Sequence, residues 1–132
     1  LDEDVNMGSV IVILATDAPL TSRQLQRLCL RAAAGLSRTG TIFGATSGNF
    51  VVGFTTAYRI PHQAPSLVAE LPVILDERNI MSTMFHAVAE CVEESVMNAL
   101  FQAETMTGVD GVTKYAVPKE EIAALVKKAQ VI

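Results

Sequence analysis

The sequence predicts an α+β fold that does not close on itself. Two observations carry this. Ser9–Ala15 and Phe50–Thr56 are short β-branched runs that read as strands, and three longer stretches repeat apolar residues with helical spacing. Two strands alone are marginal, so pairing with strands from elsewhere is expected. The chain has 132 residues, half of them hydrophobic and 18% charged. That length suits one domain, and that composition excludes a disordered chain.

Residues 1–8 are an acidic leader ending in Met7-Gly8. Asp2, Glu3 and Asp4 precede the first base, Arg23, and account for most of the net charge of −4. The run Val10–Ala15 follows without polar alternation, which predicts a strand buried on both faces. Asp17-Ala-Pro-Leu20 ends it. Thr21 then has the features of a helix N-cap, with Gln24 completing a capping box and Leu20 placed to staple onto Leu25. Leu25, Leu28, Cys29 and Ala32 form one apolar stripe, and Arg23, Arg27 and Arg31 fall off it toward solvent. This helix is expected to stop near Gly35.

Gly35, Gly40, Gly44 and Gly48 punctuate a loop-rich stretch before the second strand. Residues 57–75, with Pro61, Pro65 and Pro72, read as an irregular connection. Asp76 is placed to cap a long helix from Glu77 to Ala103, whose apolar positions include Met81, Phe85, Val88, Cys91 and Val92. Thr107-Gly108 is expected to end it. A last helix starts at Pro118, a favourable first-turn residue, and repeats Ile122, Leu125, Val126 and Ala129.

Several function classes drop out. The longest apolar run is six residues, far short of the ~20 that span a bilayer. The leader has no positive charge and no apolar segment, unlike a secretory signal. The acidic balance argues against a nucleic-acid surface. His62 and His86 are far apart and lack ligand spacing, so a metal site is not expected. The five methionines are expected in the core. Cys29 and Cys91 read as buried free thiols, which points to a reducing, cytoplasmic compartment; a periplasmic one stays open.

Ser9 has a distinctive setting. It follows Gly8 and opens the apolar strand. Cutting the Gly8–Ser9 bond would give Ser9 a hydroxyl and a free α-amine. Such an amine has a pKa of about 7.7–8.0, so it can accept the hydroxyl proton. One residue would then be nucleophile and base. The plain alternative is a serine at a strand edge.

The run Gly8-Ser-Val-Ile-Val-Ile-Leu-Ala-Thr-Asp-Ala-Pro-Leu20 resembles the start of the small subunit in the L-aminopeptidase D-amidase/D-esterase family, which includes the β-peptidyl aminopeptidases. The likeness continues through Gly35-Leu-Ser-Arg-Thr-Gly40, Ser47-Gly48, Phe54-Thr-Thr-Ala57 and Asn98–Gly108, with Asp110-Gly111 just after. The resemblance implies an α/β/β/α layered sandwich, like N-terminal-nucleophile hydrolases in architecture but distinct in connectivity. It implies a precursor that cuts itself before the nucleophile. Residues 1–8 would then precede the cleavage site, and residues 9–132 would be the small subunit. The partner would be the larger N-terminal subunit, in a homotetramer of heterodimers. Substrates would be amides, esters or short peptides with a free N-terminal amine, of D- or β-amino acid type, with no cofactor.

By position, the resemblance makes Ser9 the nucleophile, Gly8–Ser9 the scissile bond, and Ser47 a hydrogen-bonding neighbour. Asn49 stands where the family carries an acid. An amide can orient an amine but cannot offset its charge when protonated. An ordinary turn before a strand also explains Ser47-Gly48-Asn49. The oxyanion donors and the acid that holds the substrate amine belong to the larger subunit. Two other readings remain: a related self-processing hydrolase of pantetheine or nylon-oligomer type, and an unprocessed, inactive paralogue with a binding role.

Overall fold

β1 (Val10–Thr16) and β2 (Asn49–Thr55) pair in parallel along their whole length, from Val10 opposite Asn49 to Thr16 opposite Thr55. The computed structural model describes residues 8–129. Parallel neighbours need a crossover, here α1 (Ser22–Cys29) and α2 (Ala32–Arg38). Alternate residues of each strand turn to opposite faces. Val10, Val12, Leu14, Asn49, Val51 and Gly53 are half-buried on one face. On the other, Ile11 and Ile13 are 70% and 71% exposed, Phe50 66%, Val52 57% and Phe54 46%. The sequence predicts two covered faces; among the described residues the second is uncovered.

The capping box forms as predicted. The Thr21 hydroxyl accepts from the Gln24 amide N–H, and the Thr21 N–H donates to Gln24 Oε1 at 2.8 Å. Gln24 is itself buried, and its Nε2 donates to the Ile74 carbonyl at 2.8 Å and to Glu77 Oε1 at 3.1 Å. Glu77 opens the long helix α3 (Glu77–Gln102), which Asp76 caps through the Asn79 N–H. Arg23 and Arg27 both pair with the Glu77 carboxylate. Arg27 and Arg31 also lie over the Phe85 ring, 5.2 and 4.2 Å from its centroid. The three arginines assigned to solvent therefore join α1 and the start of α2 to α3. The proline-rich connection between β2 and α3 is tied down too, by Ile74 N–H to the Pro19 carbonyl and Tyr58 Oη to the Leu20 carbonyl.

The predicted single helix is two, broken at Leu30-Arg31 and running past Gly35. Gly35 is a packing position rather than a stop. A Cβ there would come within 2.5 Å of the Ala89 carbonyl oxygen and 2.8 Å of Val92 Cβ. Likewise a Cβ on Gly53 would sit 2.6 Å from Cys29 Sγ. The break lets α1 lay Cys29 on β2 while α2 presses Gly35 against α3. Leu20, Leu28, Ala32, Leu36, Met81, Val88, Ala89 and Val92 fill this core. Gly40, at φ +96°, follows the end of α2.

The chain divides into two compact units between Glu93 and Glu94, and α3 runs across that boundary. The second unit differs from expectation. α3 ends at Gln102, and a hairpin of β3 (Met106–Thr107) and β4 (Thr113–Lys114) occupies the segment assigned to the helix end. Asp110 and Gly111, at φ +60° and +75°, make its turn, a pairing of residues suited to tight hairpins. α4 (Lys119–Ala129) places Glu120 and Glu121 in its first turn and Lys127 and Lys128 in its last, matching the helix dipole. Cys91 is exposed and Cys29 only half-buried, contrary to the two buried thiols expected; burial still pushes the Cys29 thiol pKa up. Met97 and Met106 are exposed as well, so not every methionine is core.

Replacing Gly35 with Ala should lower stability by about 1–3 kcal/mol, the range for overpacking, because a backbone carbonyl blocks the new methyl. Gly53→Ala should also destabilise, but Cys29→Ala should restore most of the loss. Thermal unfolding of the single and double variants reads both. Arg23, chiefly through its hydrogen bond, holds the Glu77 carboxyl below the usual carboxylate range. A depressed pKa contributes stability above the unfolded value, about 4.3, and loses it as pH falls through the folded value. Glu77→Gln should therefore flatten the acid limb of the melting-temperature profile below about pH 4.3.

Candidate active site

The strand register builds this site. Val10 N–H donates to the Gly48 carbonyl at 3.2 Å, which sets Ser9 beside Gly48 at the start of the sheet. The Gly48 N–H in turn donates to Ser9 Oγ at 3.1 Å. Both main-chain groups of Gly48 thus fix the segment that holds the serine. A Cβ on Gly48 would stand 3.7 Å from Ser9 Oγ and 3.5 Å from the Phe50 ring. The hydroxyl therefore shares the uncovered apolar side of the sheet with Phe50. Ser9 and Gly8 are both exposed.

Ser47 and Asn49 meet each other, the Ser47 hydroxyl donating to Asn49 Oδ1 at 3.3 Å. A turn closed by Ser47 N–H to the Gly44 carbonyl, 3.0 Å, delivers them. Asn49 opens β2 on the helix-facing side, in phase with Val51. All four residues singled out in the sequence, Gly8, Ser9, Ser47 and Asn49, line one cleft of about 400 Å³ with Phe43 and Gly44. The direct partner of Ser9 is the Gly48 amide. Side-chain patterns carry no signal for a main-chain donor; only its place between Ser47 and Asn49 could have drawn notice.

None of the described lining residues has a titratable side chain. Among the described residues the cleft therefore supplies the Ser9 hydroxyl with a donor but no side-chain base. Elsewhere, among the described residues, no three His, Cys, Asp or Glu side chains gather as a metal site, and no helix is long and apolar enough to cross a membrane.

Residues 2–114 match the model of peptidase family S58. The chain belongs to that family. Two curated relatives, β-peptidyl aminopeptidases BapA, accompany that match. The one from Sphingosinicella xenopeptidilytica is 36% identical over 122 residues, covering 91% of this chain and 30% of the relative. The one from Sphingosinicella microcystinivorans is 37% identical over 121 residues, covering 92% and 30%. The S58 chain thus spans about a third of their length.

Solved structures agree on the fold. A protein of Pyrococcus horikoshii OT3 superposes with a TM-score of 0.83 at 44% identity, over 92% of this chain and 34% of that one. The L-aminopeptidase D-Ala-esterase/amidase of Ochrobactrum anthropi gives 0.78 at 33%, over 92% and 34%. It is described as a prototype of the serine aminopeptidases and a variant of the Ntn-hydrolase fold. The S58 chain carries part of that α+β architecture.

Asn49 is the place where the S58 chain departs from the acid expected there. A carboxylate near an amine favours its protonated form and raises its pKa. With a free Ser9 α-amine as the base, as the family resemblance implies, Asn49→Asp should move the acidic limb of the kcat/KM profile for amide hydrolysis to higher pH. A pH–rate series on the full-length protein and this variant checks the shift.

Proposed function

We propose that the S58 chain bears the nucleophile of a self-processing serine aminopeptidase/amidase. The observation that carries this reading is Ser9 Oγ, held by the Gly48 N–H in a cleft whose described lining offers no side-chain base. Cleavage of Gly8–Ser9 would free the Ser9 α-amine, and that amine supplies the missing base. It takes the hydroxyl proton as Oγ attacks the carbonyl of the substrate's N-terminal residue. The tetrahedral adduct collapses to an acyl-enzyme ester, and the protonated amine gives its proton to the leaving amine. Water then attacks the ester by the same proton route and restores Ser9. Ser47 and Asn49 act as positioning residues on the helix side of the cleft.

Residues 1–8 would precede the cut and residues 9–132 would form the small subunit. The open apolar face of β1 and β2 is where a sheet of the larger subunit would pack, because parallel strands are ordinarily covered on both faces. Homotetramers of such heterodimers follow from the family resemblance. Substrates are amides, esters or short peptides with a free N-terminal amine, in keeping with BapA relatives that are named β-peptidyl aminopeptidases.

Asn49 favours one competing reading, an unprocessed and inactive paralogue. Intact mass and N-terminal sequencing of the full-length protein separate the two. A species beginning Ser-Val-Ile-Val supports the hydrolase; a chain still joined through Gly8–Ser9 supports the paralogue. Ser9→Ala should abolish both self-cleavage and turnover of β-alanyl and D-alanyl anilides, with a fall of at least about 10³-fold as expected for loss of a nucleophile. Unchanged turnover would sink the mechanism.

A further inference from the structure

Phe43 is unusual in backbone and in position. Its φ is +52°, in the left-handed region that bulky residues rarely occupy. Such a conformation persists where the surroundings hold it, and these residues cluster at ligand sites. Gly40, at φ +96°, begins the loop, and the Gly44–Ser47 turn closes it. Within that frame Phe43 faces two spaces. One is the cleft of about 400 Å³ that contains Ser9. The other is a pocket of about 380 Å³ lined by Cys29, Leu30, Ala33, Leu36 and Val51. Phe43, Ser47 and Asn49 line both. These are the residues the two spaces share, and Phe43, 40% exposed, is the one bulky apolar residue among them.

The second pocket has the character of a side-chain subsite. Apart from Ser47 and Asn49 at its shared wall, its lining is aliphatic, aromatic or thiol. Its size falls in the usual range for small-molecule sites. We propose that Phe43 sets the size of the acyl group accepted beside Ser9, by closing the cleft off from this apolar pocket. The proposal rests on Ser9 being the nucleophile. With the ring present, amides whose N-terminal residue has a small side chain fit best. Without it, cleft and pocket join, and a branched or aromatic side chain reaches the apolar lining. A single methylene in such a pocket changes selectivity by roughly 10–200-fold, so removing a whole ring should be readily visible.

The test uses the full-length protein with Phe43→Ala, Phe43→Gly and Phe43→Leu. Gly accepts the positive φ without strain, so Phe43→Gly separates the loss of the ring from any backbone effect. The substrates are p-nitroanilides of β-alanine and D-alanine against those of β-homoleucine and β-homophenylalanine. The bulky-to-small ratio of kcat/KM should rise at least about 10-fold in Phe43→Ala and Phe43→Gly and stay near wild type in Phe43→Leu. Alkylation of Cys29, mapped by peptide mass in a Ser9→Ala background, gives a readout free of catalysis. It should quicken severalfold in Phe43→Ala, with Cys91 as the unchanged control. An active enzyme with an unaltered ratio, or a Cys29 no more reactive without the ring, overturns the proposal. A wild-type protein that cleaves none of the amides overturns the nucleophile reading beneath it.

Discussion

Everything at the site hangs on the parallel register of β1 and β2. Pairing Val10 with Asn49 places Ser9 next to Gly48, and no side chain is needed to bring the two segments together. A slip of one residue would turn each strand's side chains to the opposite face. It would also break the pair of bonds by which Gly48 accepts from Val10 and donates to Ser9. The register is secured where the strands meet the helices. Gly53 lies under Cys29 so closely that no other residue fits without rearrangement, which pins β2 to the end of α1.

The helix layer is fixed by a different kind of contact. Gln24 begins as a local cap and ends as a long-range tie, bonding the Ile74 carbonyl and the Glu77 carboxylate from a buried position. Exposed ion pairs are individually weak. Here Arg23 and Arg27 share one carboxylate that also takes an amide donor, so the group acts as a single clamp between α1 and the start of α3. The helix it anchors, α1, packs on one face of the sheet through Cys29 against Gly53. The other remains a continuous apolar surface of Ile11, Ile13, Phe50, Val52 and Phe54, and Ser9 Oγ sits at its edge. Ser9 therefore lies where the covered and uncovered parts of the fold meet.

Departures from the sequence reading share a cause: local pattern is blind to what lies across the fold. Gly35 looks like a helix terminator, yet it sits inside α2 because the Ala89 carbonyl leaves no room for a side chain. Arg23, Arg27 and Arg31 look like a solvated stripe, yet Glu77 and Phe85 arrive fifty or more residues later to receive them. Cys91 and Met106 look apolar enough to bury, yet both are exposed. The β3–β4 hairpin was hidden because strands of two residues leave almost no periodicity; the Asp110-Gly111 turn was its only mark.

By itself the sequence determined the two principal strands, the capped start of α1, the extent of α3 and the family, because these rest on local propensity and on contiguous motifs. It also determined that Gly8, Ser9, Ser47 and Asn49 belonged together. Tertiary structure decided how they belong. It gave Ser9 a main-chain partner in Gly48, paired Ser47 with Asn49 instead, and set Phe43 between two cavities. Those facts depend on strand register and on one residue's backbone dihedral, which are properties of the folded chain and leave no trace in the order of side chains.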